Sequence, residues 1–400
     1  MVSEISPVGV STGQFRRLLW SSGIALAGDG IRVVALPLYA AISTGDPVAT
    51  AVVTAASILP WLFVGVLSGA IVDRAAPRRL LVGMHLLRAF LTALLGIAVA
   101  TGYAGLVVMA VAAFAITTVE TFAEAAGQVV LVAVAGKPDL LRANSILSVV
   151  QTSSSTVAGP VLASVLFAWR PEVCFAVDAV CFVVAAVLLR PVTEVRVGDH
   201  SRPALLGAEM AEGLRYLLHH RTLRAVVGAV TVIAFAAGSV TALEIIYGLR
   251  VLGLTAAQVP FLGAAVAAGT VLGARLAPPA SARCGDGPVM VASLVLLAVG
   301  FLGLGLVSAP APAFGLFGLL GVASGCWNVL SATRRQRLTP PELQGRVSNT
   351  NRMLAWSLMP LGAAVAGPAA VHWSLHAVFL AAGGLVALTV LVAGRSLSRS

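Results

Sequence analysis

The chain has 400 residues, of which 58% are hydrophobic and only 10% charged, and its formal net charge is +10. A water-soluble domain needs roughly 25% charged residues to cover its surface, so an ordinary soluble fold is excluded. Four cysteines (Cys174, Cys181, Cys284, Cys326) lie apart in apolar sequence, with no CxxC pattern and no Cys/His cluster, so neither a metal site nor a cofactor is expected.

A helix needs about 20 mostly apolar residues to cross roughly 30 Å of hydrocarbon. Twelve stretches qualify: 17–42, 48–72, 80–101, 104–128, 144–168, 172–189, 224–247, 257–278, 288–307, 312–332, 348–370 and 374–393. The first follows Arg16-Arg17 but is too long for a signal peptide, and more spans come after it. The reading is an all-α membrane protein with two pseudo-symmetric six-helix bundles. Residues 1–189 form the first bundle, 190–223 a cytoplasmic linker, and 224–400 the second.

Lys and Arg are retained on the cytoplasmic side of short loops. Arg16 and Arg17 precede the first span; Arg74, Arg78 and Arg79 follow the second; Lys137 and Arg142 follow the fourth. The linker carries Arg190, Arg196, Arg202, Arg215 and Arg221, and Arg224 follows it. Arg283 follows span eight; Arg334, Arg335, Arg337 and Arg346 follow span ten; Arg395 and Arg399 end the chain. The alternate loops hold only Arg170 and Arg250. Both termini are therefore expected in the cytoplasm, with an even number of spans. The excess positive charge is then a topology signal, and a nucleic-acid partner is not expected.

The halves repeat. Gly65-Val-Leu-Ser-Gly69 corresponds to Gly269-Thr-Val-Leu-Gly273, Arg79 to Arg283, and Pro138-Asp139-Leu140 to Pro341-Glu342-Leu343. Repeated bundles joined by a long connector imply rocking about a central site.

The segment Gly69-Ala-Ile-Val-Asp73-Arg74-Ala-Ala-Pro-Arg78-Arg79 resembles the loop signature of the major facilitator superfamily, with Ala76 and Pro77 where that family has Gly and a basic residue. Further segments resemble its bacterial, actinobacterial-type exporter branch, which includes enterobactin and macrolide efflux proteins. They are Phe15-Arg-Arg-Leu-Leu-Trp20 with Gly28-Asp29, Glu120-Thr-Phe-Ala-Glu124-Ala-Ala-Gly-Gln128, Leu141-Arg-Ala-Asn-Ser145 leading to Gly159-Pro160, and Arg335 to Val347 with Pro360-Leu-Gly362. Departures are Ala163 and Ser164 in the antiporter pattern, Ala277 in place of the second loop Asp, His85 where relatives have Asp, and no Arg in helix four. The resemblance implies antiport driven by the proton gradient, with helices one, four, seven and ten lining the cavity.

Ionisable side chains inside a bilayer are costly and need a cavity or a partner. Asp29 and Arg32 share one helix face at a spacing of three. Glu120 approaches them across the cavity in this reading, so these three are the candidate proton-coupling residues. Gly69, Asp73, Arg74, Arg78, Arg79, Glu124 and Arg88 form the candidate cytoplasmic gate, with Arg88 pairing to Glu124 or snorkelling toward headgroups. Gly159 and Pro160 are read as a bend in helix five. Trp61, Gln151, Trp327, Asn328 and Trp356 are candidates for the substrate cavity, while Trp20, Trp169 and Trp373 read as interface anchors. Asp178 is read as a packing acceptor on a peripheral helix, Glu244 as a residue near the outer mouth, and His85 as a polar neighbour.

The expected activity is export of a small amphipathic or hydrophobic compound, such as a drug, an antibiotic or a siderophore-like metabolite, by a monomer in the plasma membrane. The competing readings are an importer or facilitator of a small nutrient and a transport-inactive sensor. An enzyme is not expected: the chain has no Asp-rich pair, zinc pattern or nucleotide loop.

Overall fold

The computed structural model describes residues 13–72, 76–193, 215–217, 219–340 and 343–398. Only the backbone is described at 62–72, 136–139, 141, 221, 344–346, 348–349 and 351–357. About 90% of the described residues are helical and none is in a strand. Intrahelical hydrogen bonds satisfy the backbone without water, which is what a bilayer demands.

Twelve long α-helices follow one another among the described residues: α1 (Gly13–Thr44), α2 (Pro47–Val72), α3 (Pro77–Ala100), α4 (Leu106–Gln151), α5 (Gly159–Trp169), α6 (Pro171–Leu189), α7 (Arg221–Arg250), α8 (Pro260–Cys284), α9 (Asp286–Leu304), α10 (Pro310–Leu338), α11 (Gln344–His372) and α12 (Leu375–Ser398). Pro77, Pro171, Pro260 and Pro310 sit in first turns, where a missing N–H costs nothing. Gly285, at φ +86°, makes the break between α8 and α9 in a conformation that disfavours other residues. Ten stretches are long and apolar enough to cross a membrane, and the shorter apolar stretches Pro47–Trp61 of α2 and Leu358–His372 of α11 complete the twelve. Large apolar side chains such as Leu94, Val111, Val165, Val187 and Leu391 point outward. A hydrocarbon surround makes that arrangement stable.

One boundary differs from the sequence reading. A loop was expected between 128 and 144, but helical backbone runs unbroken through these residues to Gln151. A π-helical stretch at Thr152–Ala158 then joins α4 to α5. Pro160 supplies the physical reason for the π turn. It has no N–H for Thr156, and its ring would strike that carbonyl in an α-helix. The wider turn relieves this, with Gly159 N–H donating to Ser154 O instead.

The chain divides into two units: Met1–Tyr39 with Leu59–Ser201, and Ala40–Ile58 with Arg202–Ser400. The pairings recur between them. α3 packs on α4 and α6, as α9 packs on α10 and α12; α5 meets α6 as α11 meets α12. The glycine crossings recur as well. In the first unit a Cβ on Gly30 would lie 2.6 Å from Ser155 O, and one on Gly159 would lie 2.9 Å from Ala27 O. In the second unit a Cβ on Gly238 would strike Met359 O, and one on Gly362 would strike Phe235 O. Both α1–α5 and α7–α11 are therefore crossings that only glycine permits.

The second unit buries a large apolar core that includes Met290, Leu294, Phe301, Phe317, Trp327 and Leu330. Gly269 and Gly273 of α8 meet backbone of α10, and Gly321 and Gly325 of α10 meet backbone of α8, so these helices touch main chain to main chain. Within this unit the Arg250 guanidinium donates to Gly45 O. Arg334 donates to Leu397 O at 2.7 Å, satisfying a carbonyl at the end of α12. Tyr216, ahead of α7, donates to Leu338 O at 2.8 Å.

Candidate functional site

The site lies in the first unit, where four helices bring charge into an apolar interior. Asp29 and Arg32 stand on α1, Arg88 on α3, Glu120 on α4 and Asp178 on α6. Relative exposure is 5% for Asp29, 2% for Arg32, 2% for Arg88 and 0% for Asp178. The Gly30–Gly159 crossing sets α1 against the π segment, which fixes where the neighbouring Asp29 projects.

Arg32 is the hub. Its Nη2 donates to Asp29 Oδ1 at 2.9 Å and to Glu120 Oε2 at 2.8 Å. Its Nε lies 3.8 Å from Asp178 Oδ2. Arg88 donates from Nη2 to Asp29 Oδ1, and reaches Glu120 Oε2 at 3.3 Å. The Arg88 guanidinium also stacks over the Phe182 ring, 4.0 Å from its centroid, a cation–π contact in a desolvated place. His85 stacks on the same ring.

A cavity of about 140 Å³ opens beside this cluster. That is room for about five waters. Asp29, Arg88 and Glu120 border it, together with Ser22, His85, Glu124, Gln128 and Gln151. Leu18, Ala25, Leu81 and Leu147 supply apolar wall. Asp178 and Arg32 are not among the lining residues and lie behind it.

The structure brings together Asp29, Arg32 and Glu120, with Glu124 and Gln151 on the cavity wall. Arg88 differs from its reading. It was placed at the gate, yet its guanidinium is buried against Asp29 and Glu120, because α3 turns this face inward onto Phe182. Asp178 differs too: it is fully buried and accepts no hydrogen bond among the described residues. Of the remaining gate candidates, Arg78 donates to Arg190 O at 2.7 Å, tying the start of α3 to the end of α6. Arg79 is exposed, while Asp73 and Arg74 lie outside the described residues. Gly69 and Trp356 fall where only backbone is described.

Of the aromatic candidates whose side chains are described, none lines this cavity. Trp61 is half-buried and is not among its lining residues. Trp327 belongs to the apolar core of the second unit, and Asn328 is exposed. Trp20, Trp169 and Trp373 are exposed, as anchors at an interface would be. Glu244 is half-buried on α7, with its carboxylate beside Gly263.

The repeat supplies an internal comparison. Equivalence of Gly30 with Gly238 places Ala237 where Asp29 stands and Val240 where Arg32 stands. The α10 stretch 320–328, which corresponds to the region of Glu120, has no charged residue. An equally close crossing is thus built without ions, so the cluster in the first unit is not a requirement of the packing.

Comparison with known proteins agrees with this architecture. The chain is 29% identical over 394 residues to a Sinorhizobium fredii protein described as "Uncharacterized MFS-type transporter y4rN", covering 93% of this chain and 91% of that protein. Among solved structures, the nucleoside transporter NupG superposes with a TM-score of 0.79 at 12% identity, covering 97% of this chain and 100% of that one. A bacterial homologue of the human lysosomal transporter Spinster, in an inward-facing and unoccupied conformation, superposes with a TM-score of 0.73 at 14% identity, over 96% of this chain and 97% of that one. Residues 18–348 match the family model described as Major Facilitator Superfamily. By that match and by its twelve-helix fold, the chain belongs to the major facilitator superfamily.

Proposed function

We propose that this transporter exports a small amphipathic or hydrophobic compound in exchange for protons. The family fold supports secondary transport by alternating access. The observation that carries the proton reading is the cluster of buried Asp29, Arg32, Arg88 and Asp178 with half-buried Glu120, beside a cavity roomy enough for water. Carboxylates held by guanidiniums in a dry place change partners when a proton arrives, because a protonated carboxyl no longer attracts a cation. The cavity's Leu and Ala wall suits an apolar body, and its acidic lining suits a polar end. Arg78 and Arg79, with Asp73 and Arg74, act in this reading as the cytoplasmic gate, and Gly159-Pro160 as a hinge of α5. The protein works as a monomer in the plasma membrane with both termini in the cytoplasm. One proton crossing about 100 mV supplies ~2.3 kcal/mol, which corresponds to about fifty-fold accumulation.

Uptake of a small nutrient is the competing reading. The nucleoside transporter among the structural neighbours does not favour it, because 12% identity carries the fold alone. The test uses inside-out membrane vesicles with an imposed pH gradient and a panel of labelled lipophilic compounds. Uptake that collapses with a protonophore supports export by proton exchange. Uptake that continues unchanged after the gradient is gone rules it out.

A further inference from the structure

The charges of the cluster do not balance. Three carboxyl groups, Asp29, Glu120 and Asp178, face two guanidiniums, Arg32 and Arg88. With every group ionised, one negative charge would remain uncompensated among apolar helices, which is costly where water is scarce. Neutrality among these five groups requires one bound proton.

The hydrogen bonds indicate which carboxyl holds it. Asp29 and Glu120 each accept from both guanidiniums. Asp178 is completely buried and accepts from no donor at either oxygen among the described residues, and the facing Arg32 Nε also lacks a partner. A carboxylate without a donor loses its hydration and gains back only the attraction of Arg32, whose Nε stands 3.8 Å away, beyond hydrogen-bond reach. A neutral carboxyl in the same place leaves only one O–H unsatisfied. The place is built for the side chain: a Cβ on Gly28 of α1 would strike Asp178 Oδ1 and lie 3.0 Å from Cys181 Cβ. In the second unit the corresponding helix α12 carries no acidic residue over 375–394, so this kind of packing needs no carboxyl. The other titratable groups here are Glu124 on α4, exposed on the cavity wall one turn from Glu120, His85 on α3, and Cys174 and Cys181 on α6 itself, and α5 contributes none.

We infer that Asp178 holds the cluster's proton, behind the cavity that Asp29 and Glu120 border, with Arg32 as the cation shared among all three. Its part in transport rests on the proton-exchange reading above. Asp178 hydrogen-bonds to neither Asp29 nor Glu120 in this state, so its O–H proton leaves only after a side-chain rotation brings it onto one of these carboxylates, which then gives a proton to water in the cavity. Arg32 turns its Nε–H onto the new Asp178 carboxylate as this happens. Glu120 is thereby released from one of its two guanidiniums and can engage a polar group of the cargo.

Infrared titration of the full-length protein in liposomes tests this without a known cargo. Charge-conserving exchanges keep the odd acid in place, and isotope-labelled aspartate or glutamate identifies the acid that carries the carboxylic C=O stretch. The unsubstituted protein is expected to show a buried carboxylic acid band that shifts with labelled aspartate and not with labelled glutamate. In Asp178→Glu the band should move to the glutamate label, and in Asp29→Glu it should stay with aspartate. A band that follows the glutamate label in the unsubstituted protein, or moves to it in Asp29→Glu, overturns the assignment, as does the absence of any such band. Should Asp178→Glu fail to fold, the Asp29→Glu protein still decides between the two aspartates. A separable failure is a wild-type protein with the band on Asp178 whose transport of lipophilic probes ignores the pH gradient. That result defeats proton exchange and leaves the proton on Asp178.

Discussion

At the scale of single residues, the site is an imbalance of one charge held by specific hydrogen bonds. Replacing either arginine with an apolar residue strands carboxylates that are now paired. Breaking a buried pair on one side costs about 3–5 kcal/mol. Arg88→Met is therefore expected to lower the thermal transition of the purified protein clearly. Arg88→Met combined with Glu120→Gln restores the original imbalance and should recover much of the loss; thermal unfolding in detergent checks both. Gly28→Ala is a quieter probe, because it pushes a methyl group into the space of Asp178 Oδ1. Overpacking of this kind costs about 1–3 kcal/mol, and proton exchange should suffer before folding does. Asp29, Arg32 and Glu120 were legible in the sequence because a charge in an apolar span needs a reason and a spacing of three puts two of them on one face. Arg88 and Asp178 were equally visible as charges, but hydropathy does not say which face of α3 or α6 looks inward. The available signal was Gly28, opposite Asp178, together with the excess of acids over bases deep within the spans of the first half. Trp327 shows the converse: an aromatic at membrane depth reads the same whether it lines a cavity or fills a core.

At the scale of helices, the glycine crossings set the geometry. The repeat of Gly65 and Gly69 by Gly269 and Gly273 was legible in the sequence, and the second pair meets the α10 backbone directly. Gly273→Ala is expected to separate α8 from α10, with a loss of about 1–3 kcal/mol. Gly315, whose added Cβ would meet nothing within 4 Å, is the matched control and should tolerate alanine. Comparison of the two variants by thermal unfolding tests whether the crossing, rather than helix propensity, sets stability. The spans themselves were readable because length and hydropathy are local quantities. The unbroken helical backbone after residue 128 was not, since backbone hydrogen bonds continue through residues of any polarity. The π turn was half legible: Pro160 announces a lost hydrogen bond but not how the helix absorbs it.

At the scale of the whole molecule, two units repeat one plan, and among the described residues only the first carries the ionic cluster. In the proposed mechanism the first unit handles the coupling ion, and the Ala237 and Val240 positions of the second mark what the plan looks like without the cluster. The central claim is that proton movement and cargo movement are joined at this cluster. The most direct measurement records both fluxes together in proteoliposomes, using a lipophilic probe that the wild-type protein carries and a pH-sensitive dye. The wild type should move protons against the probe, and dissipating the pH gradient should end accumulation. Asp29→Asn leaves two carboxyl groups against two guanidiniums, so Asp178 no longer needs its proton, and the variant should exchange probe for probe with no proton flux. Proton-linked accumulation of normal size by Asp29→Asn would contradict the account.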